Sequence, residues 1–203
     1  MGEPMELFEA MATTRAMRRL DATKDVADED ILTIVEAATK AATGGNSQPV
    51  RWLVVRDAEK RRQVGAIYGE CWRSVRGFYA NGEQSPTTVR MLASADHLGD
   101  HMGEAPVLIL PCSKGEPGQA ESSVFPGVQN LFLAARALGL GTTLTTVHRF
   151  REDEVREVLG IPPEVNTWAL IPVGYPTGTW GEGKRRPVRE VTYWDSWKNP
   201  PPA

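Results

Sequence analysis

Val107-Leu108-Ile109-Leu110 is an unbroken run of four strand-forming apolar residues, and its reading decides the fold. A strand with one wet face alternates apolar and polar residues; an unbroken apolar run fits a strand covered on both faces. Trp52-Leu53-Val54-Val55 is a second run of the same kind, bounded by Arg51 and Arg56. Between and around these runs the apolar spacing turns helical. Ile31, Ile34, Val35 and Ala38 keep helical spacing up to a break at Thr43-Gly44-Gly45, with Asp28 as expected N-cap and Glu29 and Asp30 where the helix dipole favours negative charge. Residues 57–80 and 87–104 read as two more helices, separated by a loop over 81–87. After a second loop over 113–123, Val128, Leu131, Phe132, Ala135 and Leu138 share the face of the strongest helix, and Gly139 stands where a left-handed C-cap is needed.

Short elements complete the pattern. Residues 3–13 read as a helix with Met5, Phe8 and Met11 in an apolar stripe. Residues 140–147 read as a threonine-rich strand or extended segment, 152–159 as a helix stopped by Gly160 and Pro162, and 167–173 as a strand ending at Gly174-Tyr175-Pro176. Strands alternate with long helices, with neither a repeat nor a linker. The expected fold is a single domain over 1–203, α/β or α+β by pattern, with a sheet flanked by helices. Tyr193, Trp194 and Trp197 crowd the tail over 191–203, which needs a surface to cover; a partner subunit fits that need.

Composition narrows the function. A net charge of -3 argues against nucleic acid or an anionic membrane as the main partner. No apolar run long enough to span a bilayer and no basic-then-apolar leader is present, so the expected location is cytoplasmic. Cys71 and Cys112, the only two cysteines, cannot build a disulfide framework or a four-ligand zinc site, and read as inert thiols. His97 and His101 share a helical face, but Leu98 stands where a zincin needs Glu, so no metal is expected. His148 has no sequence neighbour that would suggest a triad. Gly139-Leu140-Gly141 follows a helix and has Leu144 in place of the third glycine, which rules out a dinucleotide fingerprint.

Three polar groups remain: Arg15-Ala16-Met17-Arg18, Thr43-Gly44-Gly45-Asn46-Ser47-Gln48-Pro49, and Arg185-Arg186-Pro187. Guanidinium forks suit phosphate oxygens, and paired amides suit the edge of a heterocycle. Their order, with Ala137-Leu138-Gly139-Leu140-Gly141-Thr142 and Val173-Gly174-Tyr175-Pro176, resembles the FMN-dependent nitroreductase family over about residues 5–191, and the aromatic tail resembles actinobacterial members. The resemblance implies an α+β fold, a central mixed sheet wrapped by helices, in a homodimer with two FMN sites at its interface. It places Arg15, Ala16, Met17 and Arg18 at the FMN phosphate and ribityl chain, and Arg185 at the phosphate. Thr43, Asn46 and Gln48 would reach the flavin bound mainly by the other subunit, and Thr143, Thr145 and Thr146 would line the ring near N5. This chain departs from the family at Thr14 (often Arg), Ala16 (usually Ser), Val50 (usually Trp) and in its threonine-rich segment (often Glu-Gly). The implied activity is transfer of hydride from NAD(P)H through FMN to nitroaromatics, quinones or similar electrophiles by ping-pong kinetics, with no catalytic side chain. Alternatives are a flavin-sequestering protein, a deazaflavin donor, and dehalogenation or enone reduction.

Overall fold

The computed structural model describes residues 5–81, 85–115 and 120–202. The expected start of the first helix at residue 3 and parts of both expected loops lie outside the described residues. Five strands form one sheet: β1 (Arg51–Val55), β2 (Val107–Ser113), β3 (Gly141–Thr142), β4 (Asn166–Thr167) and β5 (Ile171–Gly174). Their order is β1-β2-β5-β3, with β4 also pairing β2. Every ladder between these strands is antiparallel, not the mixed sheet expected; parallel pairing enters only in the isolated bridge of Ala16 to Thr142. Six α-helices surround the sheet: α1 (Leu7–Thr13), α2 (Asp28–Thr39), α3 (Ala58–Ala80), α4 (Pro86–His101), α5 (Glu121–Ala137) and α6 (Glu152–Leu159).

All seven residues of β2 are buried, as its unbroken apolar run requires. Successive side chains leave a strand on opposite faces. Val107 and Ile109 accordingly join Ile34 of α2 and Leu131 of α5 in one core cluster. Leu108, Leu110 and Cys112 join Val64 and Tyr68 of α3, Leu98 of α4 and Val155 of α6 in a second. The sheet is thus the middle layer of three. Each fully buried Leu or Ile contributes roughly 1.5–3 kcal/mol.

Boundaries differ from the sequence expectation where caps and turns decide them. Ala27, not Asp28, is the N-cap of α2, and no side chain caps it; Asp28 instead pairs with Arg56 at 2.8 Å. The expected strand over 167–173 divides into β4 and β5, and the expected extended segment over 140–147 is strand only at Gly141–Thr142, with a further bridge at Thr145. α5 ends as expected: Gly139 has φ +73°, and the N–H groups of Gly139 and Leu140 donate to the carbonyls of Arg136 and Ala135. Leu138, expected on the core face, falls at the C-cap and is partly exposed. The stripe of α1 faces outward, with Phe8 81% exposed and Ala10 buried in its place.

His148 is fully buried; its Nε2 lies 3.0 Å from Thr167 Oγ1, and Thr167 in turn donates to Glu152. Its Nδ1 has no partner among the described residues. Burial, with Arg149 nearby, pushes its pKa from 6.5 down to about 3. The unfolded chain therefore takes up a proton that folded His148 refuses. The resulting stability is fully present above about pH 6.5 and lost as pH falls toward about 3. Urea titrations at about pH 7 and about pH 4.5 should show a larger loss of unfolding free energy for the natural protein than for His148→Gln, whose neutral amide has no such titration.

Candidate functional site

Arg15 to Arg18 runs along β3, extending the sheet at its edge. Ala16 bridges Thr142 in parallel, and the Met17 N–H donates to the Thr142 carbonyl at 2.9 Å. The approach is close because residue 141 is glycine: a Cβ there would stand 2.8 Å from Met17 Cβ and 3.0 Å from Leu20 Cδ2. Met17 is buried beneath this ledge and anchors it. Strand alternation then sends Arg18 to the other side, against Tyr68 of α3.

Arg18 is the electrostatic centre of the site. Burial pulls its guanidinium pKa downward, opposed by Tyr68, yet a guanidinium remains charged. Among the described residues it has neither a hydrogen-bond acceptor nor a carboxylate, and Arg15 beside it has none either. A desolvated cation without a partner is costly unless an anion completes it. The Tyr68 phenol is pushed up mainly by burial, with Thr145 and Arg18 opposing that shift. Arg19 turns elsewhere, its Nη1 lying 3.0 Å from His97 Nδ1.

Thr143, Thr145 and Thr146 follow β3 and flank the same ledge. Thr145 is committed internally: its N–H and carbonyl pair with Leu170, and its hydroxyl accepts from the Val147 N–H. Thr143 is buried and Thr146 exposed, and neither hydroxyl has a partner among the described residues. The structure therefore brings together Arg15, Ala16, Met17, Arg18 and the three threonines.

Thr43, Asn46 and Gln48 lie elsewhere. Their loop leads into β1, at the edge of the sheet opposite β3, three strand spacings or about 14 Å away. It is tied to the other face as well, because the Gly44 N–H donates to Ser123 Oγ of α5 at 3.1 Å. Gly45, Asn46 and Gln48 all adopt left-handed backbone, with φ of +58°, +53° and +47°. Gln48 N–H to Thr43 Oγ1 and Gln48 Nε2 to Asn46 Oδ1 hold the turn. Left-handed backbone costs a residue with a side chain about 1–2 kcal/mol, and such conformations cluster at ligand-binding turns. No hydrogen bond or ion pair joins Arg185 to the ledge among the described residues. It is exposed on the strap after β5, and its one hydrogen bond among the described residues is to the Lys184 carbonyl.

Sequence reasoning missed the aromatic wall beside Arg18: Tyr68, Trp72 and Tyr79 of α3, with Met91 of α4. The steps of four and seven from Tyr68 to Trp72 to Tyr79 are helical and could have placed all three on one face. The cysteines lie outside the site. Both are buried and free, and burial raises both thiols, Cys112 to about 12. His97 and His101 stack at 4.3 Å, with Glu104 as the ion-pair partner of His101.

Comparison with known proteins shows the family and the fold. The model of the nitroreductase family matches residues 11–175. An iodotyrosine deiodinase from Thermotoga neapolitana is 31% identical over 148 residues, covering 73% of this chain and 77% of that one. An NADH dehydrogenase from Thermus thermophilus is 29% identical, covering 89% and 91%. The crystal structure of an oxidised iodotyrosine deiodinase bound to FMN and 3-iodo-L-tyrosine superimposes with a TM-score of 0.75 at 28% identity, over 95% of this chain and all of that one.

Two substitutions test this architecture. Gly141→Ala should push the ledge off β3 and lower the unfolding free energy by about 1–3 kcal/mol in chemical denaturation. Gln48→Gly should do the reverse, leaving stability unchanged or higher by up to about 1 kcal/mol, because it relieves left-handed backbone.

Proposed function

We propose that this chain, which belongs to the nitroreductase family, binds FMN along the Arg15–Arg18 ledge and uses it to carry hydride from NAD(P)H to a small electrophile such as a nitroaromatic or a quinone. The observation that carries this reading is Arg18, a half-buried guanidinium without an acceptor, beside an equally unpartnered Arg15. Each of the two can take an oxygen of a phosphate monoester or of its polyol chain. The free hydroxyls of Thr143 and Thr146 fit the heteroatom edge of a ring system. When bound, FMN supplies N5, which accepts hydride from the nicotinamide and returns it to the second substrate.

The protein's part is positional and electrostatic. Met17 and Gly141 fix the ledge, so Arg15 and Arg18 are preorganised and need no rearrangement to receive an anion. Tyr68 and the internally bonded Thr145 wall the Arg18 guanidinium from solvent and strengthen its field. No side chain in the proposed mechanism has to donate or abstract a proton.

Asn46 and Gln48 enter the proposed site only if a second copy of the chain supplies them, since their own ledge is on the far edge and face of the sheet. We therefore assign a homodimer. Phe8 and Met11 of α1, together with Trp194 and Trp197 (80% exposed) of the tail over 191–203, offer apolar surface for that contact. We propose that Arg185, exposed on the strap leading to this tail, joins the phosphate. Among the described residues no helix is long and apolar enough to cross a membrane, and we assign the enzyme to the cytoplasm.

A second reading keeps the flavin and changes the acceptor. The similarity to iodotyrosine deiodinases favours reductive dehalogenation, which iodide release from 3-iodo-L-tyrosine under reducing conditions would detect. The purified protein should be yellow, and NADPH or NADH should bleach its flavin band in a stopped-flow trace. Bleaching only by a reduced deazaflavin would reassign the donor, and no bleaching by any of the three would leave a flavin-sequestering protein. Arg15→Ala and Arg18→Ala should each cost about 1.5–3 kcal/mol of FMN affinity, measured by flavin fluorescence on titrating the apoprotein. Unchanged affinity in both would remove the phosphate assignment.

A further inference from the structure

Arg136, in the last turn of α5, is a buried cation to which the FMN reading gives no part. Its neighbours come from two other elements. Its Nε donates to Thr13 Oγ1 at 2.9 Å, and its Nη2 faces Glu9 Oε1 at 3.9 Å, both on α1. The Thr13 hydroxyl is oriented to accept because it donates to the Glu9 carbonyl at 2.7 Å. On its face, the guanidinium lies over the ring of Trp180, with Cζ 4.4 Å from the centroid. Trp180 is half-buried and belongs to the strap after β5. A planar guanidinium can hold one neighbour in its plane and another on its face, which a lysine ammonium cannot do.

The places of these partners in the chain give the contact its consequence. Thr13 ends α1, two residues before Arg15, and Trp180 stands five residues before Arg185. The strap first runs against the ledge: Leu20 bridges Pro176 in antiparallel sense, and the Thr177 N–H donates to the Arg19 carbonyl at 3.1 Å. Farther along, Arg136 joins Trp180 to Thr13. Ledge and strap are thus tied on each side of Arg15, and the chain leaves the second tie on its way to Arg185. We infer that Arg136 is a positioning residue for the flavin phosphate: by clamping α1 and the strap to the end of α5, it fixes where Arg15 and Arg185 stand relative to each other. Arg15 and Arg185 meet the phosphate in the FMN reading, on which this inference rests. Arg136 itself touches neither cofactor nor substrate. Two long side chains serve one anion best when their backbones are held beforehand, because less freedom is then lost on binding.

FMN and riboflavin differ by the phosphate alone, so together they separate this role from a general structural one. Each is titrated into the full-length apoprotein and followed by flavin fluorescence. The natural protein should prefer FMN. Arg136→Lys keeps the charge but loses the fork and the stack. It should weaken FMN binding by roughly tenfold, the scale of one charged hydrogen bond, and leave riboflavin binding unchanged. Added to a chain that already carries Arg15→Ala and Arg185→Ala, Arg136→Lys should cost no further FMN affinity. Equal weakening of both flavins overturns the inference, because a distorted fold does not single out the phosphate. Unchanged FMN affinity overturns it too, as does the full loss recurring without Arg15 and Arg185. Should Arg136→Lys fail to fold, Trp180→Ala, which removes only the stack, decides by the same comparison: a loss confined to FMN supports the clamp, and an equal or absent loss overturns it. If the natural protein binds the two flavins equally, the phosphate reading itself has failed and takes the clamp with it. A preference for FMN that Arg136→Lys leaves intact sinks the clamp alone.

Discussion

Burial of β2 on both faces is the constraint from which the rest of the structure follows. A strand with seven dry residues must be covered by helices on each side, and its odd and even residues divide the protein into two cores. α2 and α5 close one face, and α3, α4 and α6 the other. The functional parts inherit this division. Arg18 meets Tyr68 on the α3 side, whereas the Asn46 turn is fastened to α5 on the other. A ligand that needs both groups must therefore lie between two chains. That separation is the reason a second copy of the chain enters the proposed site.

The layers were legible in the sequence because their signals are strong and local. Unbroken apolar runs marked β1 and β2, and a face repeated every three or four residues marked α5, with Gly139 at its end. The weaker signals were those settled by neighbours. Asp28 has an N-cap's chemistry, yet it lies one residue inside the helix because Arg56 holds its carboxylate. Phe8 and Met11 have a core stripe's spacing but face outward in the single chain, because spacing places side chains on a common face without saying what covers it.

The site was legible as a set of residue types, and only partly as a geometry. Arginine, threonine and amide residues have the chemistry for anion and heterocycle contacts, but their differing surroundings are set by packing. Met17 is an anchor, Thr145 is spent on Leu170 and Val147, and Arg18 alone is both desolvated and unpartnered. The aromatic wall was harder to find. Tyr68, Trp72 and Tyr79 read as ordinary helix-face residues until α4 and the segment after β3 stand opposite them. The left-handed φ of Gln48 has no sequence signal, since glutamine is a poor candidate for that region.

The ledge over β3 also bears on colloidal behaviour. β3 is an edge strand, and an edge offers unpaired N–H and carbonyl groups to any extended chain that meets it. Ala16 bridges Thr142 and the Met17 N–H takes the Thr142 carbonyl, so the segment that presents Arg15 and Arg18 also covers part of that edge. The stretch of backbone proposed to hold the cofactor is thus the same one that covers the sheet edge.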